Sequence, residues 1–200
     1  MEATMKTHKN LQRFTHYSRL QNHDVIYDGP IFQVHQLEVK QADKILKRQV
    51  VHKHAVVAII ATDRQNRLVL VKQERPAIGQ ACLEIPAGIR DVQVDGQIEQ
   101  GLIAAQRELE EECALISHRW TCLMQGYTSP GFTDEHLTLY RAQKVQVKEH
   151  ARRASDTDEI SWDFYSRREV EALLKKNKIQ DLKTYTAIQL WLKEEEDETL

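Results

Sequence analysis

Apolar and polar positions come in short blocks through most of the chain and shift to helical spacing near its end. The strongest block, Ala55-Val56-Val57-Ala58-Ile59-Ile60 within His54–Thr62, is too short and too β-branched for a helix and predicts a buried strand. Asp63-Arg64-Gln65-Asn66 predicts a turn and Arg67–Lys72 a partner strand, so that the two form a β-hairpin in the core. Residues 25–52 predict shorter strands. Ile31, Phe32 and Val34 open one after the turn Asp28-Gly29-Pro30, and Leu37 and Val39 continue it after a shift of phase. Leu83–Ile85 predicts a strand ended by Pro86 and Gly88, and further strands are expected near Trp120–Gln125 and Leu137–Val145. A helix is expected from about Glu99 to Cys113. Ser166 with Glu169 three residues on is a capping-box pattern, followed by Val170, Leu173 and Leu174 at helical spacing. A last helix over about Lys183–Lys193 carries Ala187, Ile188, Trp191 and Leu192 on one side. Residues 146–159 read as a charged loop and Glu194–Glu198 as a solvated end. The order predicts a mixed α/β sandwich.

Composition narrows this picture only a little. The chain has 200 residues, enough for one domain with an N-terminal extension and a core that needs no covalent staples. A formal net charge of −2 leaves no footprint for nucleic acid or an anionic membrane. Cys82, Cys113 and Cys122 form no CxxC pair, which is the usage of a reduced, cytoplasmic protein. No apolar run approaches membrane-spanning length, and Met1–Asp24 lacks the hydrophobic stretch of a secretory signal, so it is expected to be an arm leading into a first strand. His52 and His54 would share a strand face and are read as half-exposed strand residues rather than metal ligands.

The stretch Arg107-Glu108-Leu109-Glu110-Glu111-Glu112 carries the chemistry. On a wheel of about 100° per residue, Glu108, Glu111 and Glu112 fall in one sector, and Leu102, Ala105, Leu109 and Cys113 form the apolar sector beside it. Glu110 points away from both. Like charges four apart, in the last turns of a helix, are unfavourable for a purely structural element. A bound divalent cation reverses the sign of both terms, and hard carboxylate oxygens suit magnesium.

Two further segments extend the pattern. Leu83-Glu84-Ile85-Pro86-Ala87-Gly88, then Glu99, then Arg107–Glu112 resembles the Nudix hydrolase signature. Gln73-Glu74-Arg75-Pro76, Ser129-Pro130-Gly131-Phe132 and Lys178-Ile179-Gln180-Asp181-Leu182-Lys183-Thr184 look like its ADP-ribose and ADP-sugar pyrophosphatase branch. The likeness spans roughly residues 50–193. Two departures stand out. The loop between Gly88 and Glu99, carrying Asp91 and Asp95, is longer than in the family, and Ala114 replaces a glycine that would supply a left-handed helix end.

The resemblance implies a Nudix-type α/β/α sandwich with a mixed β-sheet and an acidic catalytic helix. It divides the chain into an N-terminal arm with short strands, a dimerisation region over residues 1–52, and a hydrolase domain over 53–200. Glu108 and Glu112 would be metal ligands with the Ala87 carbonyl, and Glu111 would ligate or align a second ion. The implied cofactor is Mg2+, with Mn2+ as a substitute. Gly88, Glu99 and Arg107 would be structural, with Arg107 pairing with Glu99. Arg75 would contact the diphosphate, and Glu84, Pro130 and Glu135 would lie at the substrate. The water-activating carboxylate would come from Ser155-Asp156-Thr157-Asp158-Glu159, with Glu159 first, then Asp158 and Asp156. The implied reaction is attack of water on one phosphorus of ADP-ribose, giving AMP and ribose 5-phosphate. The implied partners are a small nucleoside diphosphate sugar and a second copy of the chain in a homodimer, with no nucleic acid and no membrane. Tyr127, Trp120, Phe132, Tyr27 and Phe32 are candidates for base stacking and equally for core. Competing readings are a Nudix hydrolase of GDP-mannose or a dinucleotide, and a non-catalytic ADP-ribose sensor. The sensor is disfavoured by the three glutamates and by the lack of room for a DNA-binding domain.

Overall fold

The computed structural model describes residues 17–148 and 160–197, which fall into two compact units. The first comprises the described residues up to His54, with Val92–Ile98 and Tyr127–Glu135. It contains an antiparallel sheet of β1 (Leu20–Asp28), β2 (Phe32–Gln41) and β3 (Lys44–Lys53), in that order. The β2–β3 register runs unbroken from Phe32↔Lys53 to Gln41↔Lys44, whereas β1 slips twice against β2. The phase shift expected after Val34 is therefore absent from β2. Its inward positions are Leu37 and His35, the latter fully buried. A histidine in a core position broke the hydrophobic alternation without breaking the strand. His52 is also more enclosed than a half-exposed strand residue: its Nδ1 lies 2.6 Å from Asp134 Oδ2, and the Lys53 amide donates to Asp134 Oδ1 at 3.0 Å.

The second unit is built on a seven-stranded mixed sheet among the described residues. The central strand β4 (Val56–Thr62) is the run singled out by its hydrophobicity, and every residue after Val56 is buried. It lies between β5 (Leu68–Arg75), antiparallel, and β10 (His136–Gln143), parallel. β12 (Ser161–Tyr165) pairs with β5 at one edge and β9 (Arg119–Tyr127) with β10 at the other. Two short strands cover the inner pair: β6 (Gln80–Glu84) pairs with β5, and β7 (Ala87–Ile89) with β4. A separate two-stranded ladder joins β8 (Leu115–Ile116) to β11 (Gln146–Val147).

Alternation along β4 and β5 assigns the two faces of this sheet. Val57, Ile59, Ala61, Val69 and Val71 pack with Ala104, Ala105, Leu109 and Cys113 of helix α1 (Gly101–Cys113). Ala58, Ile60, Leu68 and Leu70 pack with Val170 of α2 (Arg167–Lys175) and with Ala187, Ile188 and Trp191 of α3 (Leu182–Asp197). A strand buried on both faces reads as a continuous apolar run. The result is a helix–sheet–helix sandwich, as expected.

Several expectations need correction. Helix α1 starts at Gly101, not Glu99, because the Glu99 amide donates to the Asp91 carbonyl and so lies in the loop. The buried stripe of α1 contains Ala104 in place of Leu102, which is 39% exposed. Helix α3 continues through residues expected to form a solvated end. The stretch 146–159 begins with the short strand β11, and β7, β8 and β12 were not anticipated; β12 is five residues long beside a charged segment. The Ser166 capping box is present, with Ser166 Oγ accepting from the Glu169 amide. Among the described residues no helix is long and apolar enough to cross a membrane. All three cysteines are free.

Candidate active site

The loop from Glu84 to Gly88 leaves β6, turns at Pro86 and returns as β7 beside α1. Gly88 makes the approach of strand and helix possible. A Cβ there would lie 1.9 Å from Cδ of Glu108. Glu108 thus packs its carboxylate where any other residue would place a side chain. One turn further, Glu112 Oε2 accepts a hydrogen bond from the Ala87 amide at 3.2 Å. Burial pushes the Glu112 carboxyl up to about 8, the charge of Glu108 adds to this, and the Ala87 amide opposes it. Burial raises Glu108 as well, against the opposing charge of Arg107. Glu108 shares Arg107 with Glu99 and Glu111, whereas Glu112, one helical turn on, has no ion-pair partner among the described residues.

Arg107 organises the entry to the helix. It donates from Nε and Nη2 to Glu99 at 3.2 and 2.9 Å, and from Nη2 to the Ile89 carbonyl at 2.9 Å. Its Nη1 donates to Glu108 and Glu111 at 2.8 and 2.9 Å. Hydrogen bonds from Arg107 hold the Glu99 carboxyl below the usual range despite its burial. Arg90 adds a bond from Nε to the Glu99 carbonyl at 2.7 Å, so the long loop is tied down at its base. Glu111 is exposed, and Glu110 pairs with Lys148 at 2.5 Å on another side of the helix. The three carboxylates therefore share a helix face without meeting at one point. Among the described residues no three His, Cys, Asp or Glu side chains are gathered as a ready cation site. The donor set is nonetheless that of a hard divalent cation: buried carboxylate oxygens whose repulsion such an ion would relieve.

Helix α1 ends at Ala114, which adopts φ 55° and ψ 32°, with its amide bonded to the Glu110 and Leu109 carbonyls. The alanine thus takes the left-handed conformation that a glycine adopts without steric cost.

A second charged cluster lies at the start of the same loop. Glu84 is 2% exposed and accepts from Arg75 Nε and Nη2 at 2.7 and 2.9 Å. Lys183 also donates to Glu84 Oε2, and to Asp181 Oδ2 at 2.8 Å. Burial works to raise Glu84, but Arg75 and Lys183 outweigh it and hold the carboxyl below its usual range. Asp181 caps α3 by accepting from the Thr184 amide at 3.0 Å and from Thr184 Oγ1 at 2.5 Å. Thr184 Oγ1 in turn accepts from the Ile85 amide at 3.0 Å, joining the cap to the loop. Sequence reasoning gave Lys183 and Thr184 no role. The signal was the Asp-x-x-Thr spacing of an N-cap, which shows where a helix starts but not what it touches.

Pro130 and Glu135 belong to the first unit. There the Ser129–Phe132 segment forms a turn, with the Phe132 and Thr133 amides both donating to the Ser129 carbonyl at 3.1 Å. Glu135 Oε2 accepts from Thr128 Oγ1 at 2.8 Å, and Glu135 also pairs with Lys53. The Tyr27 and Phe32 rings pack with centroids 5.5 Å apart, tilted by 39°, and both are exposed, as are Tyr127 and Phe132. Trp120 packs against the α1 side of the core and donates to the Ser117 carbonyl. Glu159, Asp158 and Asp156 lie outside the described residues.

The chain is similar to known proteins over most of its length. Residues 52–188 match the family model described as NUDIX domain. The chain is 30% identical over 171 residues to a protein named ADP-ribose pyrophosphatase from Bacillus subtilis (strain 168), covering 84% of this chain and 90% of that one. It is 33% identical over 146 residues to the methanol dehydrogenase activator of Bacillus methanolicus, covering 72% of this chain and 75% of the relative. A solved structure titled as an ADP compounds hydrolase superposes with a TM-score of 0.71 at 16% identity, over 88% of this chain and 94% of that one.

Proposed function

We propose that this chain, which belongs to the Nudix hydrolase family and is one of its pyrophosphohydrolases, cleaves the pyrophosphate bond of ADP-ribose or a close ADP-sugar to AMP and a sugar 5-phosphate. The observation that carries this reading is the packing of Glu108 against Gly88 and of Glu112 against the Ala87 amide, which brings enclosed carboxylates onto a strand edge. Glu108 and Glu112, with the Ala87 carbonyl and the more exposed Glu111, would hold divalent cations, Mg2+ or Mn2+. Such ions, when bound, neutralise phosphate charge and help to activate and align the attacking water.

The chain's own residues supply the positioning. Arg107 and Glu99 fix the loop that precedes α1. Arg75 is held by Glu84 with its side chain 39% exposed and its Nη1 without an acceptor among the described residues, which suits it to grip phosphate oxygens. Pro130 and Glu135 would line the sugar or base side of the substrate. Glu159, or Asp158 in its place, would take the proton from the attacking water. The setting is cytoplasmic, and residues 1–52 form the dimer contact. The likeness to the relative named ADP-ribose pyrophosphatase supports the choice of substrate. Product analysis with ADP-ribose, ADP-glucose and GDP-mannose side by side, with Mg2+ and with chelator, tests it. The expected result is metal-dependent AMP release, fastest from ADP-ribose. Release of GMP, or ligand binding without turnover, would overturn it.

A further inference from the structure

Two cations converge on one buried carboxylate at Glu84. Arg75 takes both its oxygens, and Lys183 shares Oε2. Glu84 can neutralise only one of these charges. Asp181 faces Lys183 at 2.8 Å and balances the second charge while the same Oδ2 caps α3 through Thr184, so what the two cations have left to offer is N–H donors. Lys183 lies in the first turn of α3, where the helix dipole disfavours a cation, so helix stability does not account for it.

An ammonium has three N–H donors, and Glu84 and Asp181 occupy two of those on Lys183. The Nη1 of Arg75 takes no acceptor among the described residues. The two side chains are 20% and 39% exposed, so both open outward from the oxygen they share. Both charges also reach Glu112, where they oppose the effect of its burial. The pair therefore belongs to the same electrostatic neighbourhood as the carboxylate face of α1.

A nucleoside diphosphate sugar carries one negative charge on each phosphoryl group, and this arrangement offers one cation to each. We propose that Lys183 is a second diphosphate-binding residue, donating its third N–H to the substrate beside Arg75, while Glu84 and Asp181 aim it. The assignment deepens the reading of the chain as a nucleoside diphosphate sugar hydrolase and rests on it. The bland alternative is an ion pair that only fastens α3 to the loop.

Lys183→Met, Lys183→Arg and the unaltered chain separate the two. Binding of inorganic pyrophosphate is measured by calorimetry, turnover of ADP-ribose by AMP release, and folding by thermal melting. Loss of one charge-assisted contact is expected to weaken pyrophosphate binding and raise KM by about tenfold in Lys183→Met. Kcat should change less, and Lys183→Arg should recover most of the affinity. Equal pyrophosphate affinity in the unaltered chain and Lys183→Met, or no binding by either, overturns the assignment. So does a lowered melting temperature with KM unchanged. If the unaltered chain binds pyrophosphate through Lys183 but leaves ADP-ribose intact, the choice of ADP-ribose fails and the lysine assignment stands.

Discussion

Two pairs of glutamates in the second unit meet burial in opposite ways. Glu84 and Glu99 are the more deeply buried, yet each is matched by a guanidinium and held in its charged form. Glu108 and Glu112 are less well matched: burial pushes both up, against a shared Arg107 at Glu108 and with the charge of Glu108 adding to it at Glu112, which reaches about 8. The first pair is finished chemistry, with every oxygen assigned. In the second, Glu108 has only a shared guanidinium and Glu112 only the Ala87 amide, so a bound cation would gain more there than at Glu84 or Glu99. The lesson is that the acidic residues that stabilise the loop and those proposed to serve the reaction differ in what surrounds them, not in type.

The same chemical change, carboxylate to amide, should therefore have opposite consequences in the two pairs. Glu112→Gln is expected to cut turnover by at least about 10²-fold, since it removes a charge from the cation-binding face. In chelator its melting temperature should equal or, above about pH 8, exceed that of the unaltered chain, because there the Glu112 carboxyl ionises beside Glu108 and the amide does not. Near-normal turnover would break the comparison outright. Gly88→Ala tests the same face by displacement. The added methyl must push the flexible end of Glu108 aside, so turnover should fall by about 10–100-fold while melting changes little.

Glu99→Gln attacks the other pair. Arg107 keeps Glu108 and Glu111 as partners, so the loss should be about 2 kcal/mol, read as a melting temperature lower by about 4–8 °C. Its pH signature follows from the sign of the shift. The folded Glu99 carboxyl sits below its unfolded value, so its contribution is complete above the ordinary carboxylate range and is lost as pH falls through the folded value. An acid unfolding curve should thus be shallower for Glu99→Gln than for the unaltered chain. The smallest effect is expected at Ala114. Glycine there removes the left-handed strain but frees the unfolded chain, for a net gain of about 0.5–1 kcal/mol, or about 1–4 °C by calorimetry.

Much of this was legible because it is local. The apolar run of β4, the carboxylate sector of α1 and the Ser166 capping box each declare themselves within a few residues, where periodicity and capping rules apply. The strained helix end at Ala114 was readable from one missing glycine. What escaped was set by distant partners. His35 is polar but faces the core of its sheet, so it concealed the phase of β2. Leu102 looked like core on the wheel, but its neighbour Ala104 takes the buried place. Lys183 stood in a segment that looks like the pyrophosphatase branch but carried no role of its own, since its partner Glu84 is 99 residues away and no periodic pattern spans that distance.

The bond between the Ile85 amide and Thr184 has a consequence for the order in which the protein matures. A nascent chain emerges from its N-terminus, so the whole acidic helix and the Glu84–Gly88 loop are available to fold long before Thr184 is synthesised. Until then the loop lacks its anchor and Glu84 lacks its second cation. A half-made chain could display every residue of the family signature and still hold no finished binding surface. Completion of the site is thereby coupled to synthesis of α3.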